Sequence, residues 1–402
     1  MSGITLDPSQ ERAVELVLTA AVGVVTGGPG TGKTTILKTA LDRLDAMGTR
    51  CMLASPTGKA SMRLQEATGR EAKTIHRLLG YSPRLKGFEF NKSNPLDTDL
   101  VIVDESSMID TDLGADLLEA IDPKRTRLIL VGDADQLPPV GPGRVFGDLI
   151  DSDMCPVARL DTLHRAALDS WVYRNARRII RGEYPELLPC QDFLYIEVED
   201  GAQVVPTIRK FLTEYAPGNI NEDVQVLVPQ RTGPAGIDKI NLDLQQTLNP
   251  RKPDANYFKR EGGHELREGD RVIQTRNDYQ LGVFNGEVGD VIEISKKEVI
   301  VQYAGRAPVQ YSLDQAKALQ LAYGLTVHKY QGSQAPWVLV VCHSTHYQML
   351  TRQLLYTAVT RAQKGVVLLG NDKGLRAATD AKAPPKRNTG LVARMKGEFG
   401  AA

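Results

Sequence analysis

The chain has 402 residues, 42% of them hydrophobic, enough for roughly two or three compact cores. Its 49 Lys and Arg balance 49 Asp and Glu, which excludes a global basic field and confines any nucleic-acid contact to a local groove. Four scattered cysteines without a C-x-x-C pair argue against a zinc site or a disulfide framework, and no run reaches the ~18 apolar residues of a membrane helix, so a cytoplasmic protein with no membrane partner is expected.

The first chemically specific element is TGGPGTGKTT, residues 26–35. It fits G-x-x-x-x-G-K-[ST] and lies between the β-branched run AAVGVVT and a helical pattern ending at Gly48. A strand, a Gly-rich loop and a helix N-terminus in that order cradle a polyphosphate, because backbone amides and the helix dipole face the anion. Gly28, Pro29, Gly30, Thr31, Gly32, Lys33, Thr34 and Thr35 would hold ATP, with Lys33 on the β- and γ-phosphates and the Thr34 hydroxyl on Mg²⁺.

CMLASPTGKASMRL follows as a strand whose Ser55–Gly58 turn opens a helix beside Lys59. This is a second anion site, and with the nucleotide already placed its natural occupant is a nucleic-acid phosphate. GYSPRLKGFEFNKSNPL then reads as a short inserted hairpin with Phe88 and Phe90 on one side. In LVIVDESSMID a continuous apolar run, as in a strand buried on both faces, delivers Asp104 and Glu105 to the sheet edge. Asp104 would complete the Mg²⁺ shell and Glu105 would orient and deprotonate the attacking water. RLILVGDADQLPPVGPG repeats the device and places Gln136 where a γ-phosphate is sensed.

Beyond residue 149 the strand–helix alternation continues without a second P-loop in VQVLVP, GLTVHKYQGSQAPWVLVVC and LYTAVTRAQKGVVLLG, which describes a second α/β domain. Short alternating strands with Asn-Gly and Asn-Asp turns within it read as a small SH3-like barrel. The end of the chain, AKAPPKRNTGLVARMKGEFGAA, reads as a loose basic tail.

The ordered set LDPSQERAVEL, GGPGTGKTT, ASPTGKAS, AKTIHRLLG, VIVDESSM, GDADQLPPVGPG, VQVLVPQR, LTVHKYQGSQ and LYTAVTRA resembles the superfamily 1B DNA helicases of the RecD-like and Dda-like branch. The resemblance runs from about Leu6 to Gly370. It implies an α/β fold of two RecA-like parallel-sheet domains, 1–79 with 98–148 and 149–258 with 315–375. A pin hairpin at 80–97, an SH3-like insertion at 259–314 and a basic tail at 376–402 complete it. Lacking the long N-terminal extension of many bacterial relatives, the chain is expected to be a compact, phage-type core.

By the same resemblance Gln10 would read the adenine, the other reading being an exposed helix-start amide. Pro56, Thr57, Lys59, Thr74 and His76 would contact the DNA strand, although His76 equally suits a core histidine. Arg361 resembles the arginine finger, and Arg165 the second γ-phosphate arginine. Thr326, His328, Lys329, Gln331, Gly332 and Ser333 fall on a turn at the cleft, Gly332 toward nucleotide and Thr326, His328, Lys329 and Ser333 toward DNA. Gln334 stands where the family usually has Glu, which loosens the expected choice among triphosphates. Phe88 and Phe90 would either cover the first base pair of a fork or glue the hairpin to the barrel.

The implied activity is that of a monomeric, ATP-driven motor moving 5′ to 3′ on single-stranded DNA and opening a fork, serving replication, recombination or repair alongside proteins of those pathways. An RNA-directed or protein-displacing translocase, or an ATP-gated DNA-binding module of a larger assembly, are the other readings.

Overall fold

A computed structural model describes residues 6–82, 87–162, 169–188, 190–253, 255–259, 265–278, 280–381, 387 and 389–397. The chain divides into two units, Met1–Tyr173 with Pro384–Ala402, and Arg174–Ala383.

The first unit is built on a six-stranded parallel sheet in the order Ala72–Thr74, Cys51–Ser55, Leu100–Val103, Arg127–Gly132, Val22–Gly27, Val157–Leu160. All four residues of Leu100–Val103 are buried, as a central parallel strand covered on both faces requires. Side-chain alternation then divides the core. Val25, Ile102, Ile129 and Val131 join Ala13, Val17, Ile36 and Leu41 on one face, while Val24, Val101, Val103 and Leu130 join Ile75, Leu117, Phe146 and Ile150 on the other.

The expected end of the first domain at 148 is too early. Val157–Leu160 pairs in parallel with Val22–Gly27 and forms the edge of the first sheet. A four-residue strand after a helix carries no sign of which sheet it will join, because pairing is decided by burial far away in sequence. The loose tail is corrected as well. Asp372–Asp380 is a helix with Leu375 and Ala378 fully buried, and Leu391–Met395 is a short helix with Leu391 packed on the first unit's core.

The hairpin is present as Tyr81–Ser82 antiparallel to Gly87–Phe88, its tip at 83–86 lying outside the described residues. Phe88 and Phe90 do sit on one side, but that side packs on the first unit's own core, and Phe88 meets Tyr81 at 5.4 Å and His76 at 5.8 Å between ring centroids. This corrects the picture of two rings projecting to cover a base pair: apolar rings beside Leu78, Leu79 and Leu96 gain more by burial than by exposure. Replacing both by alanine should therefore lower the stability of the first unit by about 2–4 kcal/mol, read as a shifted urea midpoint. An unchanged midpoint would restore the projecting arrangement.

The second unit holds a five-stranded parallel sheet, Gly324–Thr326, Val224–Val228, Ala335–Cys342, Ala362–Gly370, Phe193–Glu197. Inserted in it is a five-stranded antiparallel sheet, Val309–Ser312, Glu298–Tyr303, Val288–Ile294, Arg271–Gln274, Leu319–Leu321, around Val272, Val291, Val299 and Tyr311. Its last strand lies past the expected boundary at 314. Asp270, fully buried, ties this insertion to the unit: its carboxylate accepts from Gln245 Nε2 at 2.5 Å, Asn249 Nδ2 and Tyr323 OH at 2.8 Å and Arg267 N at 2.7 Å. Four donors are what keep a carboxylate tolerable away from water.

Candidate functional site

The strand Val22–Gly27 runs into the P-loop at the carboxyl edge of the first sheet, and the helix Lys33–Ala46 leaves it. Gly30 and Gly32 have φ of 75° and 85°, the left-handed region that glycine enters without steric penalty. Gly32 caps the helix with no side chain, so the first-turn amides are left for an anion. Thr31 Oγ1 donates to Gly28 O at 2.8 Å, and Lys33 Nζ donates to Gly27 O at 2.5 Å and Gly28 O at 2.9 Å. The ammonium is thus already held over the loop, with Thr34 exposed and Thr35 half-buried behind it.

Gln10 is only 3% exposed, which corrects the exposed-amide alternative. Its Oε1 accepts from Asp7 N at 3.1 Å in a capping box, and its Nε2 donates to Thr31 O at 3.3 Å. The side chain therefore joins the first helix to the phosphate loop.

Asp104 and Glu105 leave the central strand together. The Asp104 carboxylate accepts from Glu105 N at 2.8 Å, and Glu105 has φ 52°, one of two non-glycine residues in the left-handed region among those described. Such strain concentrates at functional positions. A cavity of about 340 Å³ is lined by Thr34, Arg63, Glu66, Asp104 and Glu105 with Ala60, Leu64 and Ala67. Burial, then the Glu105 charge, pushes the Asp104 carboxyl up to about 6 against the pull of the Glu105 amide, Lys33 and Arg63. Arg63 was not singled out from the sequence. The signal was there in its i+4 spacing from Lys59 on the helix Gly58–Thr68, which puts both cations on one face. Gln136 is 7% exposed, with Nε2 on Asp133 Oδ2 at 3.3 Å and Oε1 unpartnered.

The strand-contact candidates divide. Pro56, Thr57 and Lys59 gather at the start of Gly58–Thr68, where Thr57 Oγ1 accepts from Ala60 N at 3.3 Å. Thr74 is 6% exposed and its hydroxyl caps Ile75–Leu78 through Arg77 N at 3.2 Å, so it shapes the turn and its side chain faces inward, a correction. His76 is half-buried against Tyr81 and Phe88, and burial lowers its pKa.

In the second unit Thr326 Oγ1 accepts from Lys329 N at 3.3 Å, and the exposed Lys329 reaches Gln320 Oε1 at 3.1 Å. His328 is half-buried with its pKa lowered by burial. Ser333 is corrected to a buried position, 4% exposed, and Gly332 turns with φ 72°. Arg361, 2% exposed, donates from Nε to Thr357 O at 3.2 Å and from Nη1 to Ser333 O at 3.4 Å. Gln334 Oε1 accepts from Gln363 Nε2 at 3.4 Å. A cavity of about 200 Å³ beside Thr326 and Lys329 is also lined by Arg231, at the end of the segment VQVLVPQR. Arg165 lies outside the described residues.

A phosphate loop, an acidic pair and the buried amide of Gln136 on one parallel sheet, followed by a second parallel-sheet unit without a phosphate loop among its described residues, define a P-loop nucleotide-binding protein of two RecA-like units. The RecBCD enzyme subunit RecD of Mycobacterium tuberculosis is 34% identical over 429 residues, spanning 96% of this chain and 73% of the relative. The ATP-dependent RecD2 DNA helicase of Deinococcus radiodurans is 40% identical over 374 residues, 93% of this chain. The chain belongs to the RecD-like helicase family.

It spans about half the length of the Deinococcus relative, 50%. Three family models match along it: an AAA domain at residues 10–142, the SH3 domain of ATP-dependent RecD-like DNA helicases at 240–303, and a UvrD-like helicase C-terminal domain at 321–369. The fold is shared with the Pif1 helicase of Candida albicans, TM-score 0.58 at 18% identity over 98% of this chain and 99% of that one. A Pif1 helicase solved for DNA unwinding at forked duplex gives 0.56 at 21% identity, over 91% and 92% of the two chains. No helix among the described residues is long and apolar enough to cross a membrane.

Proposed function

We propose that the chain is an ATP-dependent DNA helicase that moves 5′ to 3′ along single-stranded DNA and unwinds the duplex ahead, acting as a monomer. One observation carries the coupling of ATP to movement. The helix Gly58–Thr68 begins at the DNA-facing turn Pro56–Lys59 and carries Arg63 into the cavity with Thr34, Asp104 and Glu105. Lys59 and Arg63 stand one turn apart on this helix, so a strand phosphate held at its first turn would be felt at Arg63 and thereby in the cavity.

The Thr34 hydroxyl and the Asp104 carboxylate share that cavity, a donor set that suits a small divalent cation. Mg²⁺ held there would neutralise phosphate charge as the phosphoryl group leaves. The chain's own part is to hold the triphosphate on the loop amides and Lys33, to place the water at Glu105, and to read the γ-phosphate with Gln136. Arg361 and Arg165 supply cations from the remainder of the chain.

Protons compete with the cation for Asp104, whose carboxyl is raised to about 6. Mg²⁺-dependent binding of fluorescent ADP should hence be level above about pH 7 and weaken about tenfold per pH unit well below 6. Affinity that stays level down to about pH 5 would remove Asp104 from the cation site. The function itself is tested with duplexes carrying a 5′ or a 3′ single-stranded tail. Opening of the 5′-tailed substrate alone, with ATP, is the expected result. ATP hydrolysis on DNA without opening would favour a protein-displacing translocase, stimulation by RNA alone an RNA-directed one, and hydrolysis without movement an ATP-gated binding module.

A further inference from the structure

The first unit takes in the end of the chain as well as its start. The described residues there, 387 and 389–397, meet the loop that follows Gln136 and the helix after it. There Arg387 Nη1 donates to two carbonyls, Gly141 O at 2.6 Å and Gly143 O at 2.9 Å, using both protons of that nitrogen. Thr389 Oγ1 donates to the buried Asp148 carboxylate, which also accepts from Arg144 Nε at 3.1 Å. Leu391 then packs on the core of the first unit, and its short helix lies along Val145–Ser152.

The same loop is also held by the segment that follows the acidic pair. Thr111 N donates to Pro142 O at 2.8 Å. A Cβ on Gly141 would lie 2.0 Å from Asp110 Oδ2, and one on Gly143, where φ is 80°, 1.9 Å from Thr111 Oγ1. Asp110 and Thr111 are separated from Glu105 by a single 3₁₀ turn, Ser106–Met108. Gln136 therefore leads into a loop held both by the acidic pair's own continuation and by the Arg387 side chain.

We propose that Arg387 is a positioning residue for ATP hydrolysis. It holds the loop Pro138–Gly143 in shape, and through it the placement of Gln136 and of the segment after Glu105. A guanidinium nitrogen bridging two carbonyls ties the loop to another part of the chain, whereas a water in its place could bridge the carbonyls but would leave the loop unanchored and exchange freely. This role rests on the hydrolytic function proposed above.

The test uses the full chain with Arg387→Ala and Arg387→Lys. Hydrogen exchange is followed at the Thr111 amide and at the loop amides, and DNA-stimulated ATPase kcat, KM for ATP and the Kd for single-stranded DNA are measured beside it. In Arg387→Ala exchange at these amides should quicken about tenfold and kcat fall about tenfold, with KM and Kd within about threefold. Arg387→Lys, whose ammonium can still donate to both carbonyls, should recover most of both effects. Thermal melting checks folding, and if the alanine variant does not fold the lysine variant carries the comparison.

Unchanged exchange, or quickened exchange with parental kcat, overturns the proposal. So does a loss of kcat that lysine does not relieve. A parental chain without ATPase would overturn the function instead, and exchange would still decide whether Arg387 holds the loop.

Discussion

Replacing Lys33 with alanine is expected to lower kcat for ATP hydrolysis by about 10² to 10³-fold or more, the scale of losing one preorganised partner of developing charge. The structure supports so large an effect because the ammonium is already placed. Its contacts at 2.5 Å to Gly27 O and 2.9 Å to Gly28 O hold it over the loop where phosphate oxygens would lie. The two carbonyls released by the substitution belong to half-buried glycines, so water can take the vacated bonds and stability should change by less than about 1 kcal/mol. Single-strand affinity should stay within about threefold, since Pro56, Thr57 and Lys59 stand where a different strand turns into a different helix. Steady-state ATPase, urea unfolding and a strand-binding titration read the three quantities separately. ATPase at the parental rate would remove Lys33 from the phosphate site.

The second large effect is expected at Arg361. Its alanine variant should lose about 10³ to 10⁵ in DNA-stimulated kcat, as for a finger acting on the transferring phosphoryl, with KM for ATP nearly unchanged. Here a stability loss must accompany the rate loss. Arg361 is 2% exposed and bonds Thr357 O and Ser333 O, so truncation empties a buried site and takes the guanidinium donor from Ser333 O, while Thr357 O keeps the Thr360 hydroxyl at 3.0 Å, a loss of about 1–3 kcal/mol. Arg361→Lys separates the two roles: it keeps a charge but not the planar fork, so it should recover part of the stability and little of the rate. A variant that raises KM at constant kcat would show a ground-state contact in place of a finger.

What was legible in the sequence is what depends on residues near one another along it. The P-loop needs glycines, a lysine and a hydroxyl within one turn, and Gly30 and Gly32 adopt the left-handed backbone that this spacing demands. The run Leu100–Val103 announced a doubly covered strand by having no polar residue, and it places Asp104 and Glu105 at the sheet edge as read. The barrel's alternating strands, too, show their two faces locally.

What only the tertiary structure decided depends on partners far away in the chain. Val157–Leu160 joined the first sheet because Val22–Gly27 had an open edge, which nothing within four residues encodes. Thr74 and Ser333 look like strand contacts in a motif, yet they are only 6% and 4% exposed: the Thr74 hydroxyl is taken by a helix cap, and Ser333 lies in a buried turn whose backbone carbonyl accepts from Arg361. Phe88 and Phe90 alternate as a projecting pair would, and the neighbouring core of Leu78, Leu79 and Leu96 claimed the face they share. Arg387 lies 246 positions from Gly141, and its grip on that loop has no trace in the spacing of either segment. Local chemistry is written in neighbouring residues, whereas burial is settled by whichever surfaces the folded chain brings together.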